Sequence, residues 1–180
     1  VSIIRITTFG ERTAEEVRRA VEAITRHAGG VDPVSDGERR TPAALVLDLR
    51  GNAGGLLSAA VEVCDIFLDD GVIVSTKGRG VRDAGSAGDD AAALDVRRAT
   101  RGAAVADMPM AVLIDGLTAS AAEVVAACLQ DHGRAIVVGS RSFGKGTVQS
   151  LIPLSDGSGL VKLTTSEYLR PNRVGIHRRD

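Results

Sequence analysis

Ser120 is the first residue whose type and surroundings could support chemistry. It follows the apolar run MPMAVLID and a short turn, begins the helical stretch SAAEVVAACLQD, and has Glu123 three residues later. A serine at this place can act as a nucleophile, because backbone amides and the positive end of a helix stabilise the developing negative charge. The pattern Ser-x-x-Glu is equally that of a helix N-cap with a capping box. This segment alone leaves both interpretations open.

A serine nucleophile needs a general base, and the three histidines do not suit that role. His27 and His132 lie shortly before glycines that end predicted helices, where a cation meets the carbonyl end of the helix dipole. His177 lies in a basic tail. None of the three follows a buried strand at a turn, so the sequence offers no convincing Ser-His-Asp triad.

Lys145 is the alternative base, and it lies between two glycines in SFGKG. The glycines allow tight turning and close backbone approach, which could point the side chain inward. A lysine, with an ordinary pKa of about 10.4, acts as a base at neutral pH only when desolvation makes it neutral. Apolar surroundings for this purpose could come from Phe143, Val148 and the strand that contains Val137 and Val138. An exposed turn lysine is the competing interpretation.

The segment GSRSFGKGT also approximates a phosphate-binding loop of the form G-x-x-x-x-G-K. Gly146, however, occupies the position at which Ser or Thr would bind magnesium. Such a loop should also open a helix, whereas the following TVQSLIPL contains β-branched residues, alternation and a proline. Nucleotide binding is therefore a remote alternative, and we expect no cofactor and no metal.

The glycine-rich segment GNAGG follows another apolar run, AALVLDLR. It can be a simple strand-to-helix turn. It can also provide a free backbone amide opposite the nucleophile, as an oxyanion hole requires.

The elements that must position these residues alternate between strand and helix along the chain. This alternation predicts an α/β domain with a mainly parallel sheet, flanking helices and a late β-hairpin closed by SDGSG. Functional groups in such folds collect at the carboxyl ends of the strands, which are GNAGG, DGLTAS and GSRSFGKG. We expect one unit over 1–180, with surface loops at 31–41 and 78–107.

Bulk composition excludes several classes of protein. Lys plus Arg number 22 against 23 Asp plus Glu, and aromatic residues make up 2%, so a nucleic-acid partner is not expected. No apolar run is long enough to span a membrane. Cys64 and Cys128 lie in apolar helical patterns typical of reduced core residues, although a disulfide between them stays open.

Together the three segments LVLDLRGNAGG, TASAAE and SFGKGTVQ resemble, in this order, the C-terminal processing peptidases, or tail-specific proteases. These are serine peptidases with a Ser-Lys dyad. The spacing is part of the resemblance, because Lys145 follows Ser120 by 25 positions and Gln149 lies four positions further on. The similarity covers most of the chain. One departure is Ala122, where the family often has a second serine.

The resemblance implies specific roles for five residues. Ser120 would attack the scissile carbonyl, while Lys145 would take its proton and Gln149 would orient the lysine. The backbone amides of Gly55 and Ala121 would form the oxyanion hole. The implied fold is the α/β arrangement shared with crotonases and the Clp protease.

The resemblance also carries expectations about partners and location. It implies endopeptidase cleavage of protein or peptide substrates with an accessible C-terminus, in an extracytoplasmic space such as a periplasm, cell envelope or plastid lumen. The family usually carries a PDZ domain ahead of the equivalent of Val1, so we expect this chain to be a catalytic core. A catalytically inactive scaffold or binding module of the same fold is the alternative.

Overall fold

The structure is a computed structural model that describes residues 1–28, 44–78, 93–103, 105, 108–155 and 157–177. Within these residues the chain forms eight strands and three helices. In chain order they are β1 Ser2–Arg5, α1 Thr13–Ala28, β2 Leu45–Asp48, α2 Leu57–Phe67, β3 Val72–Gly78, β4 Ala93–Arg98, β5 Met110–Ile114, α3 Ala121–Asp131, β6 Ile136–Gly139, β7 Thr147–Pro153 and β8 Leu160–Leu169. The predicted alternation of strand and helix is confirmed, as is the α/β class. The predicted loop at 31–41 lies outside the described residues.

Four strands form a parallel sheet in the order β1-β2-β5-β6. The core of this sheet is apolar, since Leu45, Leu47 and Val112 are almost completely buried. The run AALVLDLR favours a strand covered on both faces, but Val46, on the face opposite Leu45 and Leu47, is only half-buried. The sheet is thus more fully covered on one face than on the other.

The remaining strands form a separate antiparallel sheet in the order β4-β3-β8-β7. The predicted late hairpin is confirmed, because β7 pairs antiparallel with β8. Two expectations are corrected. The predicted mainly parallel sheet holds for only one of two sheets, because β3 pairs antiparallel in the second sheet, and an apolar run does not determine its pairing partner. Part of the predicted 78–107 loop is the strand β4, whose residues 94–98 are mostly exposed and therefore lack a strong hydrophobic pattern.

The helices α2 and α3 pack against each other and both contact β3, while α3 also contacts β6. Their apolar residues are buried on more than one face, as expected for helices covered on several sides. Cys64 and Cys128 are completely buried in this core, and no disulfide joins them in the structure. Among the described residues, no helix is both long and apolar enough to cross a membrane.

The topology places the three glycine-rich turns side by side. The strands β2 and β5 are neighbours in the parallel sheet, and β6 pairs with β5 on the other side. Because the strands are parallel, their carboxyl ends lie at one edge. GNAGG, the turn before Ser120 and the segment that leads to Lys145 therefore start from three adjacent strands.

Candidate active site

The nucleophile turn, defined here as residues 115–120, is fixed by side-chain hydrogen bonds to the neighbouring strand end. Oδ1 of Asp115 accepts hydrogen bonds from the amides of Gly51, Leu117 and Thr118, each at 3.0 Å. The buried Oγ1 of Thr118 donates to the carbonyl oxygen of Leu49 at 2.9 Å. The turn after β5 is therefore bonded directly to the end of β2.

Asn52 connects GNAGG to two other segments from a completely buried position. Its Nδ2 donates to the carbonyl oxygen of Ile6 at 2.9 Å, and its Oδ1 accepts from the amide of Gly54 at 2.8 Å. Its own carbonyl oxygen accepts from the amide of Ala119 at 2.9 Å. This asparagine determines where the glycine turn lies relative to the nucleophile turn.

The backbone of Gly54 lies directly against Ser120. A Cβ added at Gly54 would lie 2.8 Å from Cβ of Ser120 and 3.1 Å from the amide nitrogen of Ala121, and φ of Gly54 is +105°. No side chain fits there, which explains the glycine. Within the described part of the chain, the amides of Gly55 and Ala121 donate no hydrogen bond. The predicted oxyanion pair thus lies on two segments in contact, with both donors available.

Ser120 has an unusual backbone conformation, with φ 55° and ψ −121°, immediately before α3. A non-glycine residue in this region costs roughly 1 to 3 kcal/mol, and it persists only where surrounding contacts enforce it. Here the amide of Ser120 donates to Oε2 of Glu123 at 2.8 Å, which is the glutamate half of the predicted capping box. The glutamate half of the capping box is therefore present, and the strained backbone of Ser120 is an additional feature that a cap does not need.

The lysine segment, defined here as residues 140–146, runs alongside the nucleophile turn. The amide of Phe143 donates to the carbonyl oxygen of Thr118 at 3.0 Å, and the amide of Lys145 donates to Oε2 of Glu123 at 2.8 Å. A Cβ at Gly146 would lie 2.1 Å from the amide nitrogen of His177. The expected close backbone approach at this glycine is thus present, and it involves the C-terminal part of the described chain.

The side chain of Lys145 is exposed, in contrast to the expected desolvated position. Phe143 is 58% exposed and Val138 is 48% exposed, so neither shields the lysine. Within the described residues, Nζ forms no hydrogen bond or ion pair, either with Oγ of Ser120 or with the exposed Gln149. The structure brings the backbones of Ser120 and Lys145 together, but not their functional atoms.

Two carboxylates near the carboxyl ends of β2 and β5 have lowered pKa values. The Arg50 side chain donates to both oxygens of Asp48 at 2.9 Å, and this bonding lowers the pKa of Asp48 to about 2. The amide of Gly51 is the main cause of the lowered pKa of Asp115, with further bonds from the nucleophile turn. Both carboxylates are therefore charged at neutral pH and hold backbone in place.

The alternative sites considered from the sequence are a histidine base, a phosphate-binding loop and a metal site. Nε2 of His132 lies 2.8 Å from the carbonyl oxygen of Val72, a structural contact at the end of α3. The GSRSFGKG segment leads into β7, a strand, so it lacks the helix that a phosphate-binding loop requires. In the described part of the chain, no cluster of three or more His, Cys, Asp or Glu side chains could hold a metal ion.

Sequence reasoning missed Asn52 and Thr118, and it identified Glu123 only as a capping residue. All three are at most 3% exposed, and they join segments that are far apart in the chain. The signal in the sequence that could have identified them is a polar residue inside or next to a turn of small residues at the end of a buried strand. A buried polar side chain at such a place needs hydrogen-bond partners, and here it finds them in the other turns.

Comparison with known proteins places these features in a family. The model of peptidase family S41 matches residues 1–179. A carboxy-terminal-processing protease of Bartonella bacilliformis is 39% identical over 98% of this chain and 36% of its own length. The carboxyl-terminal-processing peptidase 2, chloroplastic, of Arabidopsis thaliana is 37% identical over 98% of this chain and 30% of its own length.

A solved structure, the photosystem II D1 C-terminal processing protease, superimposes with a TM-score of 0.78 at 32% identity, covering 97% of this chain and 39% of that protein. The chain thus spans about a third of the length of these relatives. The family resemblance found in the three turn segments is confirmed. The chain belongs to peptidase family S41, the family of the C-terminal processing serine proteases.

Proposed function

We propose that this chain is the catalytic core of a serine endopeptidase that forms an acyl-enzyme on Ser120 with Lys145 as general base. One observation carries the proposal. The strained backbone of Ser120 and the backbone of Lys145 both donate to the same oxygen atom, Oε2 of Glu123. Two segments with a nucleophile and a base are thus joined at one point, although the residues are far apart in the sequence.

The chemistry begins with proton transfer from Oγ of Ser120 to Nζ of Lys145. Oγ bonds to the scissile carbonyl carbon, and the carbonyl oxygen becomes an oxyanion. Lys145 then gives the proton to the leaving amine as the carbon–nitrogen bond breaks. A water molecule, deprotonated by the same lysine, then attacks the acyl carbon. The bond from this carbon to Oγ breaks, Lys145 returns the proton to Oγ, and the new C-terminus is released.

The amides of Gly55 and Ala121 are the proposed oxyanion donors. Preorganised donors of this kind contribute strongly to catalysis, because they are aimed at charge that develops only in the transition state. The bond from Gly54 to Asn52 and the contact of Gly54 with Ser120 support this assignment. Gly55 directly follows Gly54, which lies against Ser120, and its own amide donates no hydrogen bond to any described residue.

The exposure of Lys145 defines a condition for activity. General-base catalysis needs the neutral amine, and removal from water is the physical effect that favours the neutral form of a lysine. A substrate chain, or another part of the protein, that covers the lysine segment would exclude this water. Gln149 lies on β7, just beyond the lysine segment. It is the proposed hydrogen-bond partner that orients Nζ of Lys145 once the segment is covered.

The proposed substrates are proteins and peptides that are cut near an accessible C-terminus. The support is the naming of the relatives, which are described as carboxyl-terminal-processing enzymes in bacteria and in Arabidopsis thaliana. An extracytoplasmic or plastid compartment is proposed on the same basis, since one relative is named chloroplastic. No observation in the described residues favours a nucleotide instead.

The test combines labelling of the nucleophile with peptide cleavage in the natural full-length protein. A fluorophosphonate should label wild type but not Ser120→Ala, and kcat/KM should fall by about 10³ in Lys145→Ala, within the range of general-base contributions. Lys162→Ala is the matched control, because Lys162 is an exposed lysine on β8. It should cleave like wild type.

Two results would contradict the assignment. Full activity of the Lys145 variant at neutral pH would exclude this lysine as the base. Labelling of Ser120 in the wild type without any peptide turnover would favour the inactive scaffold.

A further inference from the structure

The carboxylate of Glu123 is the only described acceptor that receives hydrogen bonds from both the nucleophile and the lysine segment. Oε2 accepts from the amides of Ser120 and Lys145, both at 2.8 Å. Oε1 accepts from the amide of Gly144 at 2.6 Å and from Oγ of Ser142 at 2.7 Å. Three of these four donors belong to the lysine segment.

The surroundings of this carboxylate are unusual, since Glu123 is 3% exposed and forms no ion pair with any described residue. A buried carboxylate is tolerated only if its lone pairs are satisfied, and here backbone amides and one hydroxyl satisfy them. Since the protein donors occupy both oxygens, neither is left to contact a substrate. Any role of Glu123 in the reaction is therefore exerted through the segments that donate hydrogen bonds to it.

A capping box explains only one of the four hydrogen bonds. That function requires the bond from the Ser120 amide, which closes the first turn of α3. The bonds to Ser142, Gly144 and Lys145 reach a segment about 20 residues further along the chain. The other main-chain link from the lysine segment to the nucleophile turn is the single bond from Phe143 to Thr118.

We propose that Glu123 is a positioning residue for the peptidase reaction, which fixes the backbone of Lys145 relative to that of Ser120. The proposal rests on the proposed function, in which these two residues are base and nucleophile. The Lys145 side chain is exposed and has several rotatable bonds, so the position of its backbone sets where Nζ can reach. Displacement of a catalytic group by about 1 Å can cost about 100-fold in rate.

The decisive variant is Glu123→Gln, which preserves the shape of the side chain. An amide offers one acceptor oxygen and directs its NH₂ group at the donors of the other site. If the oxygen replaces Oε2, the NH₂ group faces the amide of Gly144, and the lysine segment loses that bond. We expect kcat to fall about 100-fold with KM changed less than about threefold.

The double-mutant cycle of Glu123→Gln with Lys145→Ala separates positioning from simple structural damage. If Glu123 acts through the lysine, its substitution should cost about 100-fold in the wild-type background but less than about threefold once Lys145 is absent. Glu62→Gln is the matched control, because Glu62 is an exposed glutamate on α2. It should leave kcat unchanged in both backgrounds.

A milder variant keeps the test valid if Glu123→Gln does not fold, as judged by circular dichroism. Ser142→Ala removes one donor and leaves the other three bonds of the carboxylate. It should lower kcat by about threefold to fivefold, again only while Lys145 is present. Rates are expressed per mole of folded protein, as measured by circular dichroism, so that unfolded protein does not count.

The outcomes of this experiment divide clearly. Losses that disappear in the Lys145→Ala background support the proposal. Equal losses in both backgrounds, or no loss of kcat in either variant, overturn it and leave Glu123 as a structural cap. An unlabelled and inactive wild type would instead refute the proposed peptidase function, which is a different result from either of these.

Discussion

The nucleophile turn and the lysine segment lie side by side but are held in the fold by different means. The nucleophile turn is fixed from several directions by buried side chains, among them Asn52 and Thr118, which bond to neighbouring strands. The lysine segment carries an exposed Phe143 and an exposed Lys145, and its bonds lead mainly to Glu123. The proposed nucleophile is therefore held in place by the core, whereas the position of the proposed base depends mainly on one carboxylate, that of Glu123.

This difference follows from burial. A polar side chain inside the core must form its hydrogen bonds. The loss of any anchor of the nucleophile turn would therefore leave buried polar groups without partners and destabilise the fold. An exposed lysine meets no such requirement and can change rotamer freely. The comparison thus predicts that damage to the nucleophile turn lowers both stability and activity, while damage to the lysine segment lowers activity more than stability.

The largest effect should come from Gly54→Ala. Its Cβ would lie 2.8 Å from both Cβ of Ser120 and the carbonyl oxygen of Ala119, and the positive φ of +105° disfavours a side chain in any case. We expect the free energy of unfolding to fall by about 3 kcal/mol and kcat by at least about 100-fold. Urea denaturation and peptide cleavage measure the two effects.

The matched control for this clash is Gly102→Ala. Gly102 has a similar φ of +115°, but nothing lies within 4 Å of an added Cβ. This variant should lose about 1 kcal/mol from strain alone and should cleave peptides like wild type. If both variants behaved alike, the close contact between Gly54 and Ser120 would not be important for the site.

A smaller effect is expected from Thr118→Val, which keeps the shape but removes the hydroxyl. The carbonyl oxygen of Leu49 and the amide of Asp115 would each lose a hydrogen-bond partner. The free energy of unfolding should decrease by about 2 kcal/mol, and kcat by about tenfold. In the control Thr25→Val, the lost hydroxyl bonds carbonyl oxygens within α1, so the decrease should stay below about 1 kcal/mol. Equal losses would mean that the anchoring of the nucleophile turn is not special.

The sequence predicted the elements of the fold better than their pairing. Long apolar runs and helical periodicity locate β2, β5 and α3 to within a few residues, because burial of these elements leaves a direct pattern. The sequence could not show that β3 leaves the parallel sheet for the antiparallel one, since a strand with buried residues reads the same in either. The strand β4 was missed because pairing with β3, and not burial, stabilises it.

For the candidate site, residue type, spacing and the family resemblance together singled out Ser120, Lys145 and the glycine turn, and their catalytic roles stay predictions. The supporting bonds could not be predicted, because they join residues far apart in the sequence. Asn52 bonds to Ile6, and Glu123 bonds to Lys145. Local spacing predicts a capping box correctly but contains no information on which distant amides will meet the same carboxylate.

The smallest effect concerns the Asp48–Arg50 charge pair at the end of β2. Asp48, on β2 before GNAGG, is 4% exposed, and its bonding to Arg50 lowers its pKa from 3.8 to about 2. The carboxylate therefore contributes its full stabilisation above about pH 4, where it is charged in both the folded and the unfolded chain. As pH falls toward 2, the unfolded chain takes up a proton first, and the contribution is progressively lost.

Asp48→Asn should consequently lower the free energy of unfolding by about 1 kcal/mol at pH 7, a figure reduced because Arg50 is largely exposed. The difference from wild type should shrink between pH 4 and pH 2. Asp95→Asn is the control, since Asp95 and Arg97 form a pair in which both side chains are more than half exposed, and its loss should cost less than about 0.5 kcal/mol. A difference at Asp48 that did not depend on pH would show that the charge pair does not stabilise the end of β2, to which the nucleophile turn is bonded.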